Sequence, residues 1–217
     1  MRSYLPTFRG AAMWALYAAI AMPFIYFGTQ LVAAPFYPGY SFSRDTASML
    51  GTTDSHHPWI FNLGAALTGV AGLVGAFGLF RALRTVTWTA LAGLVAVSVV
   101  ANGLLSVKAG MFPMPDPRHA SWQFLMPAIL VAPLLLLIAL WRRGAVLRTY
   151  LLCNIIALLL MLPLMMHRMA PVFAEGTMQR LFALVVFVPG GVAAYALVRS
   201  NEGLRTQNEK SRNSTFT

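Results

Sequence analysis

Residues 58–80 read PWIFNLGAALTGVAGLVGAFGLF, twenty-three residues without one charged side chain. An α-helix rises 1.5 Å per residue, so about 20 apolar residues cross the hydrocarbon core of a bilayer. Small residues recur at every fourth position here, at Gly64, Thr68, Gly72 and Ala76, and small residues let helices approach each other closely in lipid. The stretch therefore predicts a transmembrane helix at the centre of a bundle.

Five further stretches have a similar length and apolar character. The chain of 217 residues is 58% hydrophobic and only 10% charged, which lies outside the range of soluble globular proteins. Spans are predicted at 11–33, 58–80, 88–107, 122–141, 149–166 and 181–198. We predict an all-α polytopic membrane protein with a bundle of six transmembrane helices. It forms a single domain over 1–200, followed by a polar, disordered tail over 201–217.

The positive charges indicate the orientation of the bundle. The net charge of +10 would suggest nucleic acid in a soluble protein, but arginine and lysine in a membrane protein accumulate in cytoplasmic loops. With six spans and both termini cytoplasmic, all but five of the sixteen fall on the cytoplasmic side, the five being Arg44, Lys108, Arg118, Arg168 and Arg180. We expect a multi-pass protein of the bacterial inner membrane. We expect membrane lipids or a membrane protein as partners, and not nucleic acid.

On this topology the scarce polar groups gather at the outer side. All four histidines fall there, as do four of the six acids. We predict an outer-facing polar pocket framed by the first loop and by the loop of residues 110–123. The candidate ligand-binding residues are Arg44, Asn62, Asn102, Arg118 and His167.

Zinc binding is one chemistry that the residues of this pocket fit. Asp116 and His119 could join His56 or His57 and His167 around zinc, because carboxylate and neutral imidazole are suitable ligands. The sequence has no HExxH motif and no cysteine pair. We therefore assign no metal ligand, and the sequence identifies no cofactor.

Two further chemistries fit the same residues. In the first, Ser43, Thr46 or Ser48 is a nucleophile activated by a histidine that Asp45, Asp54 or Asp116 orients; no GxSxG motif supports such a set. In the second, Arg44 and Arg118 bind the phosphate of a lipid headgroup without catalysis. Both remain open.

Several short motifs resemble the DUF998 family of bacterial and archaeal multi-spanning proteins. They are YPGY at 37–40, SMLG at 48–51, PWIFNLG at 58–64, and GMFP at 110–113 followed by Asp116 and His119. The resemblance covers roughly residues 10–200 by span order. It implies a six-span fold and draws attention to Ser48, Asn62, Asp116 and His119, but supplies no reaction.

Three functions follow from these observations. The first is an integral membrane protein that binds a lipid, another amphipathic ligand or a membrane partner at the outer-facing pocket. The second is a membrane-embedded lipid hydrolase or transferase, with His119 as general base, Asp116 as its orienting group and Ser48 as nucleophile. The third is a small-molecule transporter, ranked last because no charged residue lies at the centre of a span.

Overall fold

The computed structural model describes residues 8–166 and 174–213, and within these ranges it contains helices and no strand. The α-helices are α1 Ala11–Ala33, α2 Pro58–Leu83, α3 Thr89–Met111, α4 Met126–Leu130, α5 Ala132–Leu140, α6 Ala145–Met166 and α7 Glu175–Asn213. Short 3-10 helices cover Ala34–Phe36, Ala47–Gly51 and Gln123–Leu125.

Six of these segments are long and apolar enough to cross a membrane. Five contain α1, α2, α3, α6 and α7, and the sixth, Gln123–Leu140, combines a 3-10 turn with α4 and α5. The predicted all-α fold of a multi-span membrane protein is therefore confirmed. The fourth span is broken at Val131, and Pro133 lies in the first turn of α5, where its missing N–H and fixed φ are tolerated.

The close packing predicted for α2 is seen against two neighbouring helices, while its opposite face, which includes Leu67, Val74 and Phe77, is exposed. This helix packs along its length against α1 on one side and α3 on the other. A Cβ atom at Gly69 would lie 2.4 Å from the carbonyl oxygen of Gly103 in α3, and one at Gly75 would lie 2.7 Å from the Cβ of Ala19 in α1. The glycines therefore let three backbones come into near contact, as expected where lipid provides no hydrophobic drive for helix association.

The end of α7 differs from the prediction of a disordered tail at 201–217. The helix continues to Asn213, because a helix that has already been nucleated adds residues at little cost and this segment is rich in helix formers. Asn201 is only 1% exposed, and its side chain exchanges two hydrogen bonds of 3.0 Å with the backbone of Phe8. The first turn of the tail is thus part of the packed bundle.

Two loops and the start of α7 meet at one end of the bundle. The first loop, residues 37–57, contacts the loop of residues 112–122 through side chains, and it contacts the first turns of α7 through both backbone and side chains. We call this the loop end of the bundle.

Candidate active site

Ser48 and His119 lie within hydrogen-bonding distance at the loop end, although 71 residues separate them in the chain. The Oγ of Ser48 is 3.1 Å from the Nε2 of His119. The other ring nitrogen, Nδ1, is 2.8 Å from the carbonyl oxygen of Phe112. Both residues are half-buried.

The contacts of the ring determine where its proton lies. A carbonyl oxygen only accepts hydrogen bonds, so Nδ1 of His119 carries the proton and donates it to Phe112. In the neutral ring Nε2 then has a free lone pair and accepts the hydroxyl proton of Ser48. This is the arrangement in which a histidine acts as general base toward a serine, with a backbone carbonyl as the third, orienting group.

The segment that carries His119 is built from consecutive turns. The amide of Asp116 donates to the carbonyl of Pro113, and that of His119 donates to Asp116. Beyond the histidine, the ammonium group of Lys108, only 5% exposed, donates to the carbonyl oxygen of Ser121. Lys108 in α3 therefore fixes the far end of the turns that aim the imidazole.

Ser48 lies in the 3-10 turn Ala47–Gly51, and two side chains hold the start of this turn. The Oε1 of Gln179 in α7 accepts from the amide of Ala47 at 2.6 Å. The hydroxyl of Tyr40 donates to the carbonyl of Thr46 at 3.1 Å, and burial raises the pKa of this phenol, which keeps it a donor. Ser48 thus follows a peptide group, Thr46–Ala47, whose C=O and N–H are both held by side chains.

Arg180 connects α7 to the whole first loop. Its Nη1 donates to the carbonyl oxygens of Phe42 at 2.6 Å and of Asp45 at 2.9 Å, and its Nη2 donates to the hydroxyl of Tyr40. The guanidinium also lies 5.0 Å from the ring centroid of Phe42. Its planar fork of donors suits several fixed acceptors at once, so Arg180 fastens the loop that carries Ser48.

Asn62 holds the end of the 3-10 turn that carries Ser48, and it has an unpaired acceptor. Its Nδ2 donates to the carbonyl of Gly51 at 3.1 Å, while its Oδ1 is buried and has no partner among the described residues. A Cβ at Gly51 would lie 2.1 Å from this oxygen. Gly51 therefore leaves the room that this amide oxygen occupies at the end of the 3-10 turn.

The sequence predicted that Asp116 orients the ring of His119. In the structure, the carboxylate of Asp116 is bound by Arg118 instead. The Nη2 of Arg118 donates at 2.6 Å and its Nε at 3.0 Å, and these bonds hold the pKa of Asp116 below its usual range. Charge-assisted, two-point pairing with a neighbouring residue outcompetes a longer reach to the imidazole. The carbonyl of Phe112 takes the orienting role.

The predicted phosphate-binding arginines are both paired within their own loops. Arg44 donates to the carboxylate of Asp45 at 3.1 Å and to the carbonyl of Gly39 at 3.1 Å, and Arg118 is held by Asp116. These bonds use Nε and Nη2 of each arginine, so a phosphate would have to share the guanidinium with a carboxylate. The ligand role of the two arginines stays a prediction.

Among the described candidates, Asn102 and His57 have other surroundings than the Ser48–His119 pair. Asn102 is buried in α3 and lines a cavity of about 20 Å³ between helices, which has room for about one water molecule. The ring of His57 packs edge-on against Phe36, and His167 lies outside the described residues. Within 8–166 and 174–213 no three histidine, cysteine, aspartate or glutamate side chains are placed to share a metal ion.

Five contributors to this site were not among the predicted site residues. Lys108 and Tyr40 hold the segments that carry His119 and Ser48. Gln179 and Arg180 open the last span, and their polar pair at the start of an apolar helix was the available signal. The fifth contributor is the carbonyl of Phe112, a backbone group that every residue has. No sequence pattern could have singled it out.

The fold and the site together define a polytopic membrane protein of six helical spans, with two loops joined through a serine and a histidine at one end. The chain belongs to the DUF998 family, described as "Protein of unknown function (DUF998)", whose model matches residues 18–196. No curated protein and no solved structure matches the chain significantly. The motif residues Ser48, Gly51, Asn62 and His119 that suggested this family lie around a single site.

Proposed function

We propose that this protein is a membrane-embedded acyl hydrolase or acyltransferase in which Ser48 is the nucleophile and His119 the general base. The observation that carries the proposal is the contact of 3.1 Å between Ser48 Oγ and His119 Nε2, combined with the contact that places the ring proton on Nδ1. A serine is a weak nucleophile at its own pKa and requires such a base.

The reaction proceeds through an acyl-enzyme. Ser48 Oγ attacks the carbonyl carbon of an ester as its proton moves to Nε2 of His119, and the resulting imidazolium is stabilised by Phe112. Collapse of the tetrahedral adduct breaks the ester C–O bond, and the leaving alcohol takes the proton from Nε2. Water or a second alcohol, deprotonated in turn by Nε2, then attacks the acyl group and frees Ser48. General base catalysis of this kind contributes roughly 10²–10⁴-fold in rate.

The location of the pair favours lipid esters as substrates. His119 lies four residues before the span Gln123–Leu140, and Asn62 lies in the first turns of α2. Trp59 and Trp122, 61% and 46% exposed, mark these span ends as the interfacial level, where tryptophan is enriched and lipid headgroups lie. With the termini in the cytoplasm, the loop end faces the outer side of the bacterial inner membrane.

A long-chain alkyl fluorophosphonate tests the proposal, since it forms a covalent adduct only with an activated serine. The purified protein in detergent should be labelled on Ser48, and Ser48→Ala should be unlabelled. The labelling rate of His119→Gln should fall roughly 10²–10⁴-fold. Ser43→Ala is the matched control, because Ser43 lies in the same loop and its hydroxyl contacts only that of Ser41, at 3.0 Å; it should label like the wild type.

The opposite result has an equally definite meaning. A wild-type protein that is folded but unlabelled at Ser48, or that labels at the same rate after His119→Gln, rules out the base role. The loop end would then be a surface that binds a lipid or a membrane partner without catalysis.

A further inference from the structure

Two clefts adjoin at the end of the bundle opposite the loop end. One has a volume of 160 Å³ and is lined by Thr85, Arg143 and Ser200 together with mostly apolar residues. The other has a volume of 240 Å³ and is lined by Arg81, Arg84 and Thr85. Each is far larger than the ~15 Å³ that one water molecule needs, so either can admit a phosphate group. Thr85 borders both clefts, and we call the two together the basic cleft.

The three arginines of the basic cleft have no carboxylate partner among the side chains that the structure describes. The ion pairs that it does show all lie elsewhere, at Arg44–Asp45, Arg118–Asp116 and Arg199–Glu202. An excess of arginine is expected at any cytoplasmic end of a membrane protein, but that rule requires neither a shared cleft nor the absence of acidic partners. Three positive charges without compensation in one concave place attract an anion.

Neutral contacts hold two of these arginines without cancelling their charge. The Nη1 of Arg143 donates to the Oγ of Ser200 in α7 at 3.1 Å. The guanidinium of Arg84 lies 5.4 Å from the ring centroid of Phe80. Because a guanidinium has five N–H donors, these contacts leave most of the donors available. The planar arrangement of such donors matches the oxygens of a phosphate group.

The basic cleft lies at the depth of lipid headgroups. Arg81 precedes the end of one membrane span by two residues, and Arg143 follows the end of another by three. Trp88 and Trp141, 77% and 47% exposed, lie near the same two span ends, and tryptophan is enriched at the membrane interface. A phosphate bound in the cleft would therefore lie level with the phosphates of the surrounding lipids.

The apolar part of the lining favours a lipid over a free anion. Leu197 and Leu204 lie within the membrane span of α7, and Phe8 and Val86 complete this wall. The glycerol backbone and first methylenes of a lipid would be partly removed from water against it, whereas inorganic phosphate would gain nothing from it. The three positive charges also disfavour a choline headgroup, because they repel its quaternary ammonium.

We infer that the basic cleft binds the phosphodiester of an anionic phospholipid, such as phosphatidylglycerol, through Arg81, Arg84 and Arg143. Basic pockets between transmembrane helices on the cytoplasmic side of a membrane bind headgroups of this kind, and the predicted topology places this end of the bundle in the cytoplasm. The site is separate from the loop end, so the inference does not depend on catalysis by Ser48.

Glutamine variants separate a specific site from the general positive charge of this end. Arg84→Gln and Arg143→Gln each remove one guanidinium from the basic cleft. Arg142→Gln is the matched control, because Arg142 is exposed in the same turn as Arg143 and is not part of the lining of either cleft. All three variants lower the net charge by one, so they differ only in the position of the lost charge.

Native mass spectrometry of each purified protein, titrated in detergent with dioleoyl phosphatidylglycerol or dioleoyl phosphatidylcholine, gives an apparent Kd for both lipids. The wild type and Arg142→Gln should bind phosphatidylglycerol roughly ten-fold or more tightly than phosphatidylcholine. Arg84→Gln and Arg143→Gln should each weaken phosphatidylglycerol binding about five-fold, the contribution of one arginine near anionic lipid. Their binding of phosphatidylcholine should not change.

The alternatives give different results in the same titrations. Equal affinity of the wild type for the two lipids, or an equal loss of affinity in Arg142→Gln, would overturn the inference and leave only general surface charge. Millimolar inorganic phosphate should not displace phosphatidylglycerol. Displacement by phosphate, with a phosphate adduct that is lost in Arg143→Gln, would assign the cleft to a free anion and overturn the assignment to a lipid.

Discussion

Replacing Arg180 by Met should release the first loop from α7 while leaving Ser48 and His119 themselves unchanged. The substitution removes the donors to the carbonyls of Phe42 and Asp45 and to the hydroxyl of Tyr40. Each hydrogen bond of this kind is worth about 1 kcal/mol net, so the anchoring of the loop should weaken by about 3 kcal/mol. Because 1.4 kcal/mol is a factor of ten, loop opening should become on the order of 100-fold more frequent.

Hydrogen exchange of the purified protein in detergent measures this opening directly. The amides of Asp45, Ala47 and Met49 are hydrogen-bonded in the structure and should exchange roughly 100-fold faster in Arg180→Met. Arg148→Met is the matched control. It also removes a guanidinium that lies over an aromatic ring, 5.1 Å from the centroid of Trp141, but this contact is away from the first loop. Unchanged exchange in Arg180→Met would show that other contacts hold the loop and would refute the anchoring role.

Three further predictions test the fold and the loops. Gly69→Ala should destabilise the protein by about 1–3 kcal/mol through a clash with α3, whereas Gly93→Ala should leave thermal unfolding in detergent unchanged. Arg118 lowers the pKa of Asp116, so the ion pair stabilises its loop at pH values above the usual carboxyl pKa. This stabilisation is lost as the pH falls below about 4. Limited proteolysis of the loop should show an acid transition in the wild type and none in Asp116→Asn. Asn201→Leu should leave the backbone of Phe8 unpaired and lower stability by about 1–3 kcal/mol, measured by thermal unfolding.

The spans could be read from the sequence because lipid imposes one strong constraint. Backbone groups in the hydrocarbon must be satisfied internally, so a long apolar run such as residues 58–80 has only one structure available to it. The spacing of small residues in α2 likewise predicted that this helix packs closely against its neighbours. The helical tail after Asn201 was missed, because two hydrogen bonds to Phe8 in a distant part of the chain fix its start.

The site could be predicted only in part. Residue type and predicted side of the membrane gave several serine, threonine and histidine candidates, and the family resemblance drew attention to Ser48 and His119, but nothing in the sequence gives their separation of 3.1 Å. Asp116 was assigned to the histidine by proximity in the chain, and it is bound instead by the nearer Arg118. The partner of the imidazole is a backbone carbonyl, a contact set by the path of the chain and not by a side chain.

Trapping the acyl-enzyme tests the central claim most directly, because hydrolase and transferase share this intermediate. The purified protein is incubated briefly with p-nitrophenyl palmitate, quenched in acid and mapped by peptide mass spectrometry. The account predicts a palmitoyl group on Ser48 in the wild type and in Ser43→Ala, and none at that position in Ser48→Ala or His119→Ala. Folded wild-type protein with no acyl group on Ser48, or acylation of Ser48 that persists in His119→Ala, would contradict it.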